Sequence, residues 1–136
     1  MNWGKEAFEQ KIAELTKTGR YVVAQKDGEI AGDAFLNPMP LEALSHVFRL
    51  TIVVHPGFRN ESVGEALMRD LMGWAKRTPR FGKIELLVRV TNERAIRRYL
   101  KLGFAEEGRY KKRVRLPDGY LVDDIAMAWF PRRHYG

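Results

Sequence analysis

One segment, residues 47–90, constrains the fold more than any other part of the chain. It begins with the strand pattern VFRLTIVV over 47–54, continues with a helical pattern over 63–77 and ends with the strand pattern IELLVRV over 84–90. The almost wholly apolar end of the first strand predicts that both of its faces are covered. Two strands joined by one helix lie parallel with a right-handed connection, so the segment predicts a β-α-β unit.

Antiparallel hairpins are predicted on both sides of this unit. Strands over 21–25 and 29–36 meet at Asp27-Gly28, where glycine accepts the positive φ of a tight hairpin turn. Strands over 108–116 and 120–129 meet at Pro117-Asp118-Gly119.

Two further helices complete the expected order of elements. One is predicted over residues 3–18, from the spacing of Phe8, Ile12 and Leu15. The other begins at the cap Asn92, ends at Gly103 and is expected to bury the stripe Ala95, Ile96, Tyr99 and Leu100. The order α-β-β-β-α-β-α-β-β predicts one domain, 1–136, of the α/β type (an α+β mixed sheet) with helices on both faces.

Composition narrows the classes of function. The chain has a net charge of +7, and residues 91–136 hold 11 Lys/Arg against 6 Asp/Glu. Such a bias attracts nucleic acid, phosphorylated cofactors or acidic proteins, and it equally suits a solvated basic face. The absence of cysteine excludes disulfides and thiolate chemistry. With no apolar run of about 20 residues and no signal-like start, the expectation is a cytoplasmic protein without a membrane segment.

The turn HPGFRNESVGEALM, over 55–68, is the candidate binding element. A strand that leads through a tight turn into a helix presents free main-chain N–H groups in one direction, where the helix dipole adds positive charge. A phosphate satisfies those donors, and Arg59 can add a charge-assisted bond. Many such corners bind nothing, so the residues alone leave an anion site and an ordinary loop both open.

Two spaced motifs resemble the GNAT acyltransferase superfamily. In VVHPGFRNESVGEALMRDLMGWA, Arg59 matches the first position of the family's Arg/Gln-x-x-Gly-x-Gly/Ala loop, Ser62 its first glycine and Gly64 its second. VTNERAIRRYLKLGF is similar to the family's second motif, at Asn92, Ala95, Tyr99, Gly103 and Phe104. The closing hairpin EEGRYKKRVRLPDGYLVDDIAMA also resembles that of small members, so the match covers residues 20–130.

The resemblance implies a GNAT-like fold that binds acetyl-CoA. The N–H groups from Asn60 to Glu65 are expected to hold the diphosphate, and the edge of β-strand residues 52–54 to pair with the pantetheine arm. Serine at position 62 is small and keeps its N–H, so the loop is predicted to function. If position 62 needs φ > 0, a residue other than glycine costs about 1 kcal/mol there, and a weaker affinity for the cofactor is expected. The cofactor-binding residues expected are Ile52, Val53, Val54, Arg59, Asn60, Glu61, Ser62, Val63, Gly64, Glu65 and Asn92.

The resemblance also implies which groups act on the acetyl group. Tyr99 matches the tyrosine that faces the cofactor sulfur and is the expected acid, while the Val54 N–H polarises the thioester carbonyl. Asn92 either caps its helix or contacts the cofactor arm, and both roles are compatible. His46 is the candidate base from its pKa range, with water as the alternative. The histidines lack metal-ligand spacing and Asp123-Asp124 point to opposite faces, so no metal site is predicted.

The expected function is transfer of an acetyl group from acetyl-CoA to a primary amine, small or peptidic. The resemblance implies that family members commonly begin with another strand and helix, which often line the acceptor pocket. The pattern of this sequence is expected to start after them, so the pocket is expected to be incomplete unless a homodimer completes it. The alternatives are a non-catalytic acyl-CoA-binding or regulatory module and, less favoured, a basic nucleic-acid-binding domain based on the cluster over 109–115.

Overall fold

The computed structural model of the chain describes residues 9–13, 19–59 and 62–131. Its helices are α1 (Val63–Arg77) and α2 (Glu93–Lys101), with one 3-10 turn at Glu42–Leu44. Its strands are β1 (Glu9–Ala13), β2 (Arg20–Lys26), β3 (Glu29–Pro38), β4 (Val47–Val54), β5 (Lys83–Arg89), β6 (Ala105–Arg115) and β7 (Leu121–Trp129). The chain divides into a first unit, residues 1–82 with 131–136, and a second unit, residues 83–130.

In the first unit, β1 to β4 pair antiparallel in chain order. The turn between β2 and β3 has positive φ at both Asp27 (51°) and Gly28 (80°), as the predicted two-residue hairpin requires. Helix α1 lies on the sheet face whose buried strand residues include Val22, Ala34 and Leu36. The helix buries Val63, Leu67, Met68, Leu71, Met72 and Ala75, spaced as an amphipathic helix requires.

Two groups of side chains fix α1 to the strands. Phe48 at the start of β4 stacks on Phe81 with ring centroids 4.4 Å apart, and Trp74 meets both rings edge-on at 5.8 and 5.9 Å. At the middle of the helix, the Arg20 Nε donates to the Asp70 carboxylate at 3.0 Å. Both side chains of this ion pair are largely buried, so it is screened less than a surface pair.

In the second unit, β7 pairs antiparallel with β5 on one side and with β6 on the other. Ile84, Leu86 and Val88 are buried as the alternation predicts. The Lys83 ammonium bridges Glu85 and Glu107, each at 2.9 Å. Burial alone would lower the pKa of Lys83, but its hydrogen bonds to Glu107 and Glu85 outweigh burial and raise it.

The basic strand β6 is partly neutralised by its neighbour β7. Asp123 accepts a hydrogen bond from the Lys112 N–H at 2.8 Å, at an irregular point where Lys112 has φ 53°. Arg109 pairs with Asp123 and Arg113 with Asp124, each at 3.4 Å. The two aspartates therefore serve different arginines, and in the described part of the chain no group of three acidic or histidine side chains could hold a metal ion.

Three expectations from the sequence were wrong. Residues Glu9–Ala13 form a strand paired with β2 rather than part of a helix over 3–18, because pairing along a sheet edge overrides a weak helical periodicity; the rest of that range lies outside the described residues. Leu100 is exposed, since the short helix α2 buries only Tyr99 fully. Strand β4 is not covered on both faces, because Thr51 and Val53 lie opposite the α1 side and are exposed.

Candidate functional site

The turn between β4 and α1 holds the chain in an unusual conformation just before the helix. Gly57 has φ 94°, and the Phe58 N–H donates to the His55 carbonyl at 3.1 Å. Ser62, the residue before the helix, is left-handed, with φ 59° and ψ 22°. The family glycine that Ser62 replaces would adopt this conformation without strain, so the condition stated from the sequence is met. Asn60 and Glu61 lie outside the described residues.

The first turn of α1 offers main-chain donors that the helix itself does not use. The Ser62 side chain accepts no capping hydrogen bond, and the first helical bond runs from the Ala66 N–H to the Ser62 carbonyl at 3.1 Å. The N–H groups of Val63, Gly64 and Glu65 come before that bond and have no intrahelical acceptor. Together with the positive end of the helix dipole, they suit an anion that brings its own oxygens.

The charges around this turn do not oppose an anion strongly. Glu65 is the acidic residue of the first turn, and its carboxylate accepts from both Arg69 Nε (3.1 Å) and Arg69 Nη2 (3.0 Å), one turn further along the helix. This pair draws the negative charge away from the N-terminus of the helix. Arg59 lies in the turn with an exposed side chain.

The end of β4 presents main-chain groups away from β3. The His55 N–H donates to the Ala31 carbonyl and the Met39 N–H to the Val47 carbonyl, which identifies the hydrogen-bonded pairs of this ladder. Because such pairs alternate, Val54 opposite Gly32 is a non-hydrogen-bonded pair, and the Val54 N–H points to the other edge of β4. Val53 beside it is 47% exposed, so an apolar surface adjoins that donor.

Gly32 is a close-packed position beside the turn that the sequence did not reveal. A Cβ there would lie 2.7 Å from the Val53 carbonyl oxygen, 3.1 Å from Val63 Cγ1 and 3.3 Å from Leu67 Cδ1. Glycine thus lets the start of α1 and the end of β4 approach β3 closely, which fixes the donors of the turn relative to Val54. A glycine inside a strand pattern is the signal that could have identified it.

The second motif lies in the second unit. Tyr99 is 6% exposed, and its ring packs on Phe104 with centroids 5.6 Å apart. Burial raises the pKa of the Tyr99 phenol and Arg98 partly offsets this, so the hydroxyl stays protonated at neutral pH. Asn92 acts as the predicted cap, because its Oδ1 accepts from the Ala95 N–H at 3.2 Å. Its side-chain amide donors are not used by that bond.

His46 is not brought to the turn. Eight residues of extended chain, about 26 Å, separate it from Val54 at the opposite end of β4. Its ring instead lies against Gly82, whose N–H donates to the His46 carbonyl at 2.8 Å. Glu85, the acidic residue of β5, forms an ion pair with Lys83 at 2.9 Å. The role of His46 as a base stays a prediction without support from its position.

Comparison with known proteins identifies the family. The sequence model of the Acetyltransferase (GNAT) family matches residues 1–104. The chain belongs to the GNAT family. It is 36% identical over 109 residues to the L-amino acid N-acetyltransferase AaaT of Escherichia coli, covering 80% of this chain and 67% of AaaT. It is 29% identical over 126 residues to the N-alpha-acetyltransferase RimI of Mycobacterium tuberculosis, covering 88% of this chain and 73% of RimI.

The GNAT fold expected from the sequence is confirmed by solved structures. The yncA protein of Salmonella typhimurium, solved with its cofactor acetyl-CoA, superposes with a TM-score of 0.77 at 18% identity, over 87% of this chain and 68% of that one. As a GNAT protein, the chain is an acyltransferase, and acetyl-CoA is the acetyl donor of the family. In the described ranges, no helix is both long and apolar enough to span a membrane.

The residues present fit acetyl-CoA on chemical grounds. The uncapped first turn of α1 supplies donors without acceptors, which suits a diphosphate better than any neutral group. The outward Val54 N–H and the exposed Val53 side chain suit an amide-bearing, partly apolar arm. Both features lie in the first unit and are joined by the close approach at Gly32.

Proposed function

We propose that this GNAT protein transfers the acetyl group of acetyl-CoA directly to a primary amine. The observation that carries the proposal is the left-handed Ser62 in front of an α1 first turn that has no side-chain cap. Such a turn leaves N–H groups available to an external acceptor, and a diphosphate supplies one. The amine acceptor is supported by the relatives AaaT and RimI, whose names describe acetylation of amino acids and of α-amines.

The turn residues of the first unit hold the donor. The N–H groups of Ser62 to Glu65 receive the diphosphate, Arg59 adds positive charge, and the edge of β4 at residues 52–54 receives the pantetheine arm. Asn60 and Glu61 are included on the resemblance alone, because they lie outside the described residues. Asn92 is assigned to the cofactor on the resemblance alone, and its capping bond leaves its amide donors available.

The chemistry requires that the acceptor ammonium lose a proton to water, that the thioester carbonyl be polarised and that the leaving thiolate be protonated. Acetyl-CoA supplies the acetyl group as a thioester when bound. The Val54 N–H, which β3 does not use, polarises the carbonyl oxygen. Tyr99 donates the proton to the leaving sulfur, because its raised pKa keeps the phenol protonated over the physiological range. No covalent enzyme intermediate is needed, and the chain has no cysteine to form one.

Thiol release with a panel of amines tests the proposal. The wild-type chain is incubated with acetyl-CoA and putrescine, phenethylamine, L-methionine or an alanine-initiated tripeptide, and free thiol is followed over time. At least one amine is expected to raise thiol release above hydrolysis, with the acetylated amine found by mass spectrometry. Tyr99→Phe is expected to reduce turnover while acetyl-CoA binding persists, and Tyr120→Phe, at an exposed tyrosine, serves as the matched control. Thiol release that no amine accelerates would contradict direct transfer.

A further inference from the structure

The sheet face of the first unit opposite α1 carries a set of side chains that the proposed chemistry does not use. Residues directly opposite each other in an antiparallel ladder share a face, and so do residues two apart on one strand. The pairs Tyr21↔Phe35, Val23↔Asp33, Asp33↔Val53 and Phe35↔Thr51 therefore place six side chains together. We name this set the open face: Tyr21, Val23, Asp33, Phe35, Thr51 and Val53, each half-buried or exposed.

Asp33 is the charged group of the open face. Its Oδ2 accepts a hydrogen bond from the Tyr21 hydroxyl at 3.3 Å, which orients the carboxylate. Burial, and then the negative charge of Asp33, raise the pKa of Tyr21, so the phenol remains a donor at neutral pH. Within residues 19–59 and 62–131, no lysine, arginine or histidine forms an ion pair with Asp33, although the chain carries 24 Lys/Arg against 17 Asp/Glu.

A half-buried carboxylate without a basic partner in residues 19–59 and 62–131 can accept a cationic ligand. Arg20 with Asp70, Arg109 with Asp123 and Arg113 with Asp124 show that other aspartates of the chain have arginine partners. The direct cross-strand neighbours of Asp33 are Val23 and Val53. Tyr21 and Phe35 meet edge-on on the same face, with centroids 6.2 Å apart. An organic cation that has an apolar body satisfies both the charge and the surface.

The position of Asp33 connects it to the transfer site. Asp33 and Val53 are a hydrogen-bonded pair of the ladder, whose Cα atoms lie about 5.5 Å apart. The next residue along β4 is Val54, whose N–H is assigned to the thioester carbonyl. The carboxylate is thus one strand away from the place where the acceptor nitrogen must arrive.

We propose that Asp33, held by the Tyr21 hydroxyl, binds the ammonium group of the acceptor before its nitrogen releases a proton to water and attacks, and that Tyr21, Phe35 and Val53 receive the acceptor's apolar body. This inference rests on the proposed function and names its substrate class: a primary ammonium attached to an apolar or aromatic group. Asp33 is a specificity-determining residue for that substrate, and Tyr21 is a positioning residue that acts through Asp33.

Asp33→Asn, a substitution of equal shape, tests the proposal with phenethylamine as the probe. The loss of one charge-assisted hydrogen bond is expected to raise the KM for phenethylamine about 10- to 100-fold, while the dissociation constant of acetyl-CoA is unchanged by calorimetry. Tyr21→Phe is expected to raise the same KM by a smaller factor and to leave kcat nearly unchanged. Asp27→Asn removes the same charge at an exposed turn of the same unit and is expected to change neither constant.

Equilibrium binding separates this inference from the proposed function. With coenzyme A present, the wild-type chain is expected to bind phenethylamine more tightly than phenethyl alcohol, the neutral molecule of similar shape, and Asp33→Asn to lose that preference. An unchanged KM in Asp33→Asn, or equal affinity of the wild type for the two molecules, would overturn the inference while acetyl-CoA binding and amine acetylation stand. Failure to bind acetyl-CoA would instead refute the proposed function, and the preference for the ammonium would still be measured.

Discussion

Replacing Ser62 by glycine tests whether the turn before α1 is strained. Ser62 has φ 59° and makes no side-chain capping bond, so no hydrogen bond from its hydroxyl offsets the strain of the left-handed backbone. A residue with a Cβ loses roughly 1–2 kcal/mol in the left-handed region. Glycine avoids that cost, but it makes the unfolded chain more flexible, and the entropy lost on folding opposes folding by roughly 0.5–1 kcal/mol.

The difference of these terms lies between about 0 and 1.5 kcal/mol, so Ser62→Gly is expected to raise the free energy of unfolding by about 0.75 kcal/mol, the middle of that range. For a chain of 136 residues, this corresponds to a rise in Tm of about 2–5 °C. Ser62→Ala is the matched control, because alanine keeps the Cβ and removes only the hydroxyl. It is expected to change the free energy of unfolding by less than about 0.5 kcal/mol, since no capping bond is lost.

Urea denaturation followed by circular dichroism measures both variants against the wild type. Calorimetry on the same samples checks whether glycine also tightens acetyl-CoA binding, by at most about fivefold for 1 kcal/mol. A Ser62→Ala variant that loses about 1 kcal/mol would show that the hydroxyl caps the helix after all. A Ser62→Gly variant less stable than the wild type would refute the left-handed conformation of residue 62.

Three further variants test other parts of the account. Gly32→Ala places a Cβ 2.7 Å from the Val53 carbonyl oxygen and is expected to lower the free energy of unfolding by about 1–3 kcal/mol. Gly108→Ala is the control, because open space surrounds that position, and it is expected to match the stability of the wild type. Equal stability of the two variants would contradict the close approach at Gly32. Asn92→Ala is expected to lose about 1 kcal/mol and Asn92→Ser much less, measured by urea denaturation, because serine can also cap α2. Tyr99→Phe is expected to lower kcat by about 100-fold or more. In the wild type the alkaline fall of kcat, where the phenol deprotonates, is expected above the ordinary tyrosine value of 10.0, because burial raises the pKa of Tyr99; a fall below that value would remove Tyr99 as the acid.

Periodicity and turn chemistry were sufficient to predict most elements of the fold. The bounds of β4 and α1 agree with the sequence patterns, and the hairpin at Asp27-Gly28 has the backbone that its residues require. These elements are specified locally, by burial at a regular spacing and by glycine at positive φ. The strand at Glu9–Ala13 could not be predicted in this way, because its conformation depends on pairing with β2, a contact that no local pattern encodes.

The candidate site was predicted only where main-chain geometry follows from sequence order. A strand followed by a turn and a helix places main-chain donors at Val63 to Glu65 whatever the side chains are, so these donors could be predicted from the sequence. The apolar run of β4 was taken for a strand covered on both faces, yet Val53 is exposed. Sequence patterns assign such an apolar residue to the core, although it is exposed beside the candidate turn. Asp33 was missed because its significance lies in cross-strand neighbours, Tyr21 and Val53, that only the register reveals.

The central claim is that main-chain donors at the start of α1 bind the diphosphate of acetyl-CoA. Proton–nitrogen correlation spectra of the labelled chain measure this directly, because they report on each amide. Acetyl-CoA is expected to shift the amide signals of Val63, Gly64 and Glu65, and S-acetylpantetheine, which lacks the diphosphate, is expected to leave them nearly unmoved. If acetyl-CoA binds while these three signals stay in place, or if both compounds shift them equally, the claim is contradicted.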